Sequence, residues 1–327
     1  MEERIRFGKT DLNVSPLALG TWVTGGWAWG GSDENESLQA VLRTFESGIN
    51  FVDTAPVYGF GKSEEIVGRA LKEWGSEKIV VATKCGLEWD EKERIRRNAS
   101  PERLMKEVDE SLRRLGTDKI DLYQIHWPDP QVPFEESIRA LLKARDQGKI
   151  RYIGLSNFNR SQLEECLKAG PVFSLQPPFN IFEREAENEL LPFCIEQGIA
   201  TLGYGGLCRG LLTGKFKGTE QFRKGDLRRA DPKFKPDRFK KYVAAVNEIK
   251  KLAKSYDKTP AQFALRWAVQ QTGITCVIAG ARTPKQAEDN AGAFGWTIAD
   301  ADLAKVDEIV ARHIDEPMGP GFMSPNK

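Results

Sequence analysis

The chain has 327 residues, 40% of them apolar, which is enough for one large domain with a sizeable core. Lys and Arg number 48 and Asp and Glu 47, so the formal net charge of +1 favours neither nucleic acid nor an anionic membrane as a partner. Five scattered cysteines without a C-x-x-C pair are typical of reduced thiols, and the first residues, MEERIRFGK, lack the apolar core of a signal peptide, so we expect a cytoplasmic protein.

Eight short apolar runs recur along the chain and alternate with segments of helical periodicity. The runs are PLALG, FVDTA, KIVVATK, KIDLYQIH, IRYIGLSN, VFSLQ, IATLGYG and ITCVIAG. A short apolar run between turn residues is typical of a buried strand. We therefore expect eight strands.

Helix start and stop signals separate the apolar runs. Ser100-Pro101 and Thr259-Pro260 each place a capping residue before a proline at the first helical position. Glycine in the C-cap role is expected to end the helical segments. These glycines are Gly48, Gly75, Gly116, Gly148, Gly170, Gly198 and Gly273.

This alternation predicts an α/β protein, a (β/α)8 TIM barrel. A doubly wound sheet is the alternative, but it usually has fewer strands, and the G-x-G-x-x-G turn of that fold is absent from the sequence. Residues 4–16 predict an N-terminal β-hairpin. Residues 213–240 are rich in Lys, Arg, Gly and Pro and predict a long loop after strand seven. Without a linker in the sequence, we expect residues 1–327 to form a single domain.

The stretch FVDTAPVYGFGKSEE, residues 51–65, contains Gly-Lys-Ser but is not a phosphate-binding loop. Such a loop needs a glycine five residues before the glycine of that tripeptide, and Pro56 stands there relative to Gly61. The stretch instead predicts the end of a strand, a tight turn at Gly59 and Gly61, and a helix that Ser63 caps.

Polar residues follow the predicted strands where a barrel carries its chemistry, at the carboxyl ends. Strands two, three and four end at Asp53, Lys84 and His126, and Tyr58 lies on the turn after strand two. Each has an ordinary structural explanation, such as a solvated lysine or a satisfied histidine. Together they suit protonation of an oxygen that becomes negative, as in carbonyl reduction.

In this interpretation Tyr58 is the acid, and Lys84 lowers the pKa of its phenol by stabilising the phenolate. Asp53 keeps Lys84 charged, and His126 donates a hydrogen bond to the substrate oxygen. No metal-ligand spacing and no nucleophile with its base occur in the sequence, so we expect no metal site.

Several motifs make the chain resemble the aldo-keto reductase family along nearly its whole length. They are LALGTW, FVDTAPVYGFGKSEEIVGRAL, VVATK, SLRRLGTDKIDLYQIHWPD, GKIRYIGLSNF, LQPPFNIFERE, YGGLCRGLLTGK and GARTPKQAEDN. HWPDP, QPPFN and LCRGLLTGK resemble the bacterial branch that contains general stress protein 69 and glyceraldehyde or polyol reductases. The resemblance implies NADPH-dependent reduction of aldehydes and ketones, with Asp53, Tyr58, Lys84 and His126 as the catalytic tetrad.

The resemblance also implies a set of cofactor-binding residues along the barrel mouth. Those matching the groups around the nicotinamide are Ser156, Asn157, Gln176 and Tyr204, and Thr21, Trp22 and Asp53 are further cofactor-binding residues. Those matching the loop that crosses the pyrophosphate are Gly205, Gly206, Leu207, Arg209, Gly210 and Lys215. Those matching the adenosine end are Gly280, Arg282, Gln286, Asp289 and Asn290.

Arg282 is the residue that we expect to distinguish NADPH from NADH. Its planar guanidinium can bind the additional phosphate through two hydrogen bonds, while Thr283 caps a helix that Pro284 begins. NADH has no group at that place, so its binding should depend little on Arg282.

Trp22 and Trp127 are predicted to line the substrate site together with Tyr58 and His126. For the two tryptophans at positions 27 and 29, a core position is equally expected. The substrate would be a small hydroxyaldehyde, a sugar or an aromatic aldehyde.

Two other functions stay open from the sequence. Potassium-channel β subunits share this fold and bind the nucleotide while acting mainly as partners and redox sensors, and a catalytically idle barrel is the third possibility. The complete tetrad and the bacterial-type motifs favour the enzyme. We expect a monomer that acts on a small carbonyl compound, without a nucleic-acid or membrane partner.

Overall fold

In the computed structural model, which describes residues 3–325, eight parallel strands close into a barrel. The strands in chain order are β1 (Ile5–Arg6), β2 (Asn13–Val14), β3 (Leu17–Gly20), β4 (Phe51–Asp53), β5 (Val80–Cys85), β6 (Leu87–Trp89), β7 (Ile95–Arg97), β8 (Ile120–Ile125), β9 (Ile150–Ser156), β10 (Ser174–Gln176), β11 (Ala200–Gly203) and β12 (Cys276–Gly280). The barrel contains β3, β4, β5 and β8 to β12, and it closes where Val277 of β12 pairs with Leu17 of β3. Each of the eight apolar runs supplies one barrel strand, so the predicted (β/α)8 barrel is confirmed.

Helices surround the barrel. They are α1 (Glu34–Glu46), α2 (Lys62–Trp74), α3 (Pro101–Leu115), α4 (Phe134–Asp146), α5 (Arg160–Ala169), α6 (Leu190–Gln197), α7 (Pro236–Ser255), α8 (Pro260–Val269), α9 (Pro284–Ala291) and α10 (Asp300–His313). Ser100 and Thr259 cap α3 and α8 as predicted, because each side chain accepts a backbone N–H from the first turn. Helix α10, which packs against α7, was not predicted.

The predicted N-terminal hairpin is present and occupies one end of the barrel. Strands β1 and β2 pair antiparallel, and Phe7, which follows β1, is fully buried. Its ring contacts that of Phe51 at the start of β4, with a centroid distance of 5.5 Å and an edge-to-face arrangement. This end is therefore filled by side chains, which leaves the carboxyl ends of the strands for the site.

The long loop after the seventh barrel strand ends earlier than predicted. Residues 236–240, assigned to the loop from composition, form the first turns of α7, because Pro236 is pre-organised for a helix start. Buried ion pairs connect Glu183 to Arg209, just before this loop, and to Lys233, near its end. Arg209 pairs with Glu183 and Asp231, and Lys233 Nζ lies 2.8 Å from Glu183 Oε1.

The prediction that Ser63 caps the second helix is wrong. Helix α2 begins two residues earlier than that cap would place it, at Lys62, and Gly61 is the N-cap, with a left-handed φ of 103°. The Ser63 side chain is buried and bonds to other elements, which leaves it unable to cap the helix.

The five cysteines are all buried and free, as expected for reduced thiols. Among residues 3–325, no helix combines the length and the apolar composition that crossing a membrane requires.

Candidate active site

Lys84 is the centre of the predicted tetrad. Its fully buried ammonium lies 2.6 Å from Asp53 Oδ1, 3.0 Å from the Thr54 carbonyl and 3.3 Å from Tyr58 Oη. Strands β4 and β5 are paired neighbours, which brings Asp53 and Lys84 together, and the turn after β4 returns Tyr58 to them. An ammonium has three hydrogens, and these contacts use them all. Lys84 is therefore fixed between a carboxylate and a phenol.

His126 completes the tetrad from the next strand. It follows β8 directly, and its backbone N–H donates to the Cys85 carbonyl of β5 over 2.9 Å. Its ring centroid lies 5.7 Å from that of Tyr58, nearly perpendicular to it. Burial and the charge of Lys84 hold the pKa of His126 well below its usual value of 6.5. The imidazole is neutral at pH 7 and can donate one N–H to an oxygen beside Tyr58.

The pKa of Tyr58 differs from the sequence-based expectation. We expected Lys84 to lower it, but burial, together with the charge of Asp53, raises the pKa of Tyr58 well above 10.0. The reason is that Lys84 and Asp53 form a nearly neutral pair, so the cation has little net effect on the phenol and desolvation prevails. The phenol is consequently protonated at neutral pH, the state that a proton donor requires.

Two glutamine amides hold the second oxygen of Asp53. Gln176 Nε2 and Gln124 Nε2 lie 2.9 Å and 3.1 Å from Asp53 Oδ2. Gln124 of β8 was not predicted, although it lies two residues before His126, a spacing that places both side chains on the same face of an extended chain. In this structure the Gln176 amide binds Asp53, and its contact with a cofactor stays a prediction.

A second chain of hydrogen bonds links the ends of β9 and β11 beside the tetrad. Asn157, with a left-handed φ of 64°, donates from Nδ2 to the His126 carbonyl over 3.0 Å and to Ser156 Oγ over 3.1 Å. Its Oδ1 accepts a hydrogen bond of 2.9 Å from Tyr204 Oη. The structure thus brings three of the predicted nicotinamide-binding residues next to His126.

Arg282 lies at a pocket of about 280 Å³ between the first and last barrel strands. Its Nη2 donates to the carbonyls of Trp29 and Gly31 over 2.6 and 2.8 Å, and Thr283 caps α9 as predicted. The pocket is lined by Val23, Gly31, Ser32, Asp33, Glu36, Ser37, Arg282, Thr283 and Gln286. A groove of about 410 Å³ between α2 and α3 contains none of the predicted site residues.

Cations gather at this side of the barrel mouth. Burial and the charges of Arg228 and Arg282 lower the pKa of the predicted Lys215. Asp226 is the carboxylate beside them, and it bonds to Arg228 Nη2 at 2.6 Å. Mutual repulsion among three cations is relieved by an anion with several charges. Arg228 was not predicted, because an arginine in a loop rich in charges carries no signal in the sequence.

Aromatic rings surround the tetrad on its open side. The Trp22 ring stacks on that of Tyr58, with centroids 5.8 Å apart and planes inclined by 17°. Trp127 packs in the same apolar cluster as Tyr58, Phe60 and Trp89. The predicted substrate residues therefore lie together. Trp89, from the hairpin β6–β7 that was not predicted, packs in the same cluster.

The other predicted cofactor residues have partners within the protein. Thr21 Oγ1 donates to the Asp53 carbonyl, Asn290 Nδ2 donates to the Gly280 carbonyl, and Asp289 pairs with Lys285. The side chain of Arg209 is occupied by the buried ion pairs described above. The remaining ones, in the turn after β11, are Gly205, Gly206, Leu207 and Gly210. Their contacts with a cofactor stay predictions.

Comparisons with known proteins identify the family. Residues 16–311 match the Aldo/keto reductase family. The chain belongs to this family. Aldo-keto reductase YhdN of Bacillus subtilis (strain 168) is 46% identical over 318 residues, which are 97% of this chain and 96% of the relative.

A further relative and a solved structure also belong with this family. The Escherichia coli (strain K12) protein named NADH-specific methylglyoxal reductase is 36% identical over 321 residues, covering 94% of this chain and 98% of the relative. The structure of the glycerol dehydrogenase AKR11B4 from Gluconobacter oxydans superposes with a TM-score of 0.90, at 46% identity and 99% coverage of both chains. The protein is an oxidoreductase of the aldo-keto reductase type.

The barrel mouth of this reductase fits a nicotinamide cofactor. Trp22 and Trp29 each have a buried indole N–H that finds no acceptor among residues 3–325. Buried donors without a partner are rare in proteins, and a polar ligand would satisfy them. The cations around Lys215 and the N-terminus of α9 are suited to phosphates.

Proposed function

We propose that this protein reduces aldehydes and ketones to alcohols with NADPH, and that Tyr58 is the proton donor. The observation that carries the proposal is the geometry of Lys84, whose ammonium lies 2.6 Å from Asp53 and 3.3 Å from the Tyr58 phenol. This arrangement provides a buried acid together with a cation that compensates the charge left behind.

The chemistry that a nicotinamide cofactor would supply, held at the barrel mouth beside Asn157 and Tyr204, is the hydride for the carbonyl carbon. Tyr58 gives its phenol proton to the carbonyl oxygen, so the product is the alcohol. Lys84 donates a hydrogen bond to the phenol oxygen and so holds the acid in place; burial lowers the pKa of Lys84, and the charge of Asp53 partly offsets that lowering. The neutral imidazole of His126 donates a hydrogen bond to the same oxygen and polarises the carbonyl before the proton moves.

The cations at the adenosine end support NADPH as the cofactor. The guanidinium of Arg282 lines the pocket beside the N-terminus of α9, and Lys215 and Arg228 lie near it. Asp33 and Glu36 line the same pocket and would repel a phosphate, so NADH is the competing cofactor. One relative is named as NADH-specific. We propose NADPH because, among residues 3–325, Arg282 and Lys215 form no ion pair, whereas Asp226 compensates the charge of Arg228.

Small hydroxylated or dicarbonyl compounds are the substrates that we propose. One relative is named a methylglyoxal reductase and another a glycerol dehydrogenase. The rings of Trp22, Trp89 and Trp127 around the phenol also suit an aromatic aldehyde. We further propose that the enzyme works as a cytoplasmic monomer.

Substitution of Tyr58 by Phe tests the proposed function, because it removes the acid and keeps the ring. We expect kcat for reduction of a panel of aldehydes with NADPH to fall about a hundredfold or more, the scale of a lost general acid. The Kd of NADPH should change little. Tyr152→Phe is a matched control, because it removes a phenol whose partner is Asp11, outside the tetrad.

Two results would contradict the proposal. Retention of kcat in Tyr58→Phe would mean that another group supplies the proton. Binding of NADPH without turnover of any carbonyl by the wild type would favour a nucleotide-binding sensor of the kind that potassium-channel β subunits represent.

A further inference from the structure

Three fully buried hydroxyl groups meet behind the tetrad, and the chemistry described above uses none of them. They belong to Thr21 after β3, Thr54 after β4 and Ser63 in the first turn of α2. Ser63 Oγ lies 2.8 Å from Thr21 Oγ1, 3.0 Å from the Thr21 carbonyl and 3.0 Å from Thr54 Oγ1. Ser63 is therefore the hub of a cluster that joins three elements.

The shortest bonds of this cluster are satisfied together by one arrangement of the protons. Thr21 Oγ1 donates to the Asp53 carbonyl over 3.1 Å, which uses its hydrogen. In it Ser63 donates to Thr21 Oγ1, the nearer of its two acceptors on Thr21, and Thr54 donates to Ser63. The three hydroxyls form a directed chain from Thr54 to the Asp53 backbone. In such a chain each bond strengthens the next.

Each member of the cluster is bonded to, or adjacent to, a group that touches the reacting atoms. The Thr54 carbonyl accepts the Lys84 ammonium over 3.0 Å. Trp22, whose ring stacks on that of Tyr58, directly follows Thr21. Displacement of either threonine would therefore move a neighbour of the phenol.

The cluster also closes the loop that carries Tyr58. Thr54 and Ser63 stand at its two ends, and the Ser63 backbone N–H donates to the Tyr58 carbonyl over 3.2 Å. On the outer side the loop packs backbone to backbone, because a Cβ added at Gly25 would lie 2.4 Å from the Tyr58 carbonyl oxygen. The loop is therefore held by Gly25 on one side and by the hydroxyl chain on the other.

We propose that Ser63, Thr54 and Thr21 are positioning residues that set the distance between the Tyr58 phenol and the Lys84 ammonium. The inference rests on the proposed function, in which that pair delivers the proton. A shift of about an ångström in a reacting group can cost up to roughly a hundredfold in rate. Loss of the Ser63 or the Thr54 hydroxyl should therefore slow the chemical step and leave cofactor binding unchanged.

The test compares Ser63→Ala with Ser137→Ala. Ser137 is matched because it is also buried, in the first turn of α4, and donates to a backbone carbonyl, that of Ala99, over 2.8 Å. We expect Ser63→Ala to lower kcat for aldehyde reduction about tenfold, with the Kd of NADPH and the KM of the aldehyde within about twofold of wild type. Ser137→Ala should leave kcat unchanged.

A second pair of variants at Thr54 decides the question if Ser63→Ala does not fold. Thr54→Val keeps the shape and removes the hydroxyl, whereas Thr54→Ser keeps the hydroxyl. We expect the same loss of kcat in Thr54→Val and recovery in Thr54→Ser. A structural role alone would not give that order, because Thr54→Ser deletes the methyl group that packs in the buried site.

The inference is overturned if Ser63→Ala, or in its place Thr54→Val, retains the kcat of Ser137→Ala while Tyr58→Phe loses activity. It is also overturned if the loss appears equally in the Kd of NADPH. Failure of the proposed function is a different result, because the wild type itself would then reduce no carbonyl.

Discussion

Replacement of Arg282 by Ala separates two roles that the structure gives to one guanidinium. Its Nη2 holds the carbonyls of Trp29 and Gly31, so the side chain fastens the loop after β3 to the turn after β12. Its Nε and Nη1 have no partner among residues 3–325 and are free to bind a phosphate. The substitution removes both the tether and the phosphate contact.

The two losses have different magnitudes for the two cofactors. A hydrogen bond to a charged group contributes about 1.5–3 kcal/mol. Loss of the phosphate contact should therefore raise the Kd of NADPH about 10- to 150-fold relative to that of NADH. Loss of the tether should weaken both cofactors by the same factor. This shared weakening is what the structure adds to the expectation from sequence, in which NADH binding depends little on Arg282.

The assay is titration of NADPH and NADH by quenching of tryptophan fluorescence, at two salt concentrations. Arg312→Ala is a suitable control, because Arg312 is an exposed arginine that pairs with Glu248 on the outer helices. We expect that control to bind both cofactors as the wild type does. Equal losses for NADPH and NADH in Arg282→Ala would refute the reasoning, since Arg282 would then act through the loop alone.

Two other predictions concern the half-buried Trp127 and the buried Glu107. Trp127→Ala should raise the KM of aromatic aldehydes about tenfold, the scale of a lost apolar contact, and unchanged KM values and substrate ranking would place Trp127 outside the pocket. Burial raises the pKa of Glu107 from 4.5 to about 8, so the folded protein holds a proton there that the unfolded chain releases. The free energy of unfolding therefore falls as pH rises from 4.5 to about 8, by at most about 1.4 kcal/mol per pH unit. In urea unfolding measured across this pH range, Glu107→Gln should remove that dependence. Parallel slopes for the two proteins would show that Glu107 is ionised in the folded state.

Much of the fold could be predicted because the signals are local. An apolar run between turn residues needs no knowledge of distant residues to be a buried strand, and all eight runs proved to be barrel strands. Caps behave in the same way, since Ser100, Thr259 and Thr283 bond within their own first turns. The four residues of the predicted tetrad could be expected to lie close together, because three of them stand at strand ends, Tyr58 follows on the next turn, and neighbouring parallel strands bring their ends together.

The tertiary structure alone decided the properties that depend on contacts between distant parts of the chain. Ser63 lies next to a helix start in sequence, but its hydroxyl bonds to Thr21, 42 residues away, and so it does not cap the helix. Gln124 bonds to Asp53 across 71 residues, which no pattern in either segment indicates. The pKa of Tyr58 is set by burial and by the balance of charge between Lys84 and Asp53. Desolvation and the distances between charges are defined only once the chain has folded, whereas hydrophobic periodicity and helix capping depend on residues that are neighbours in the sequence.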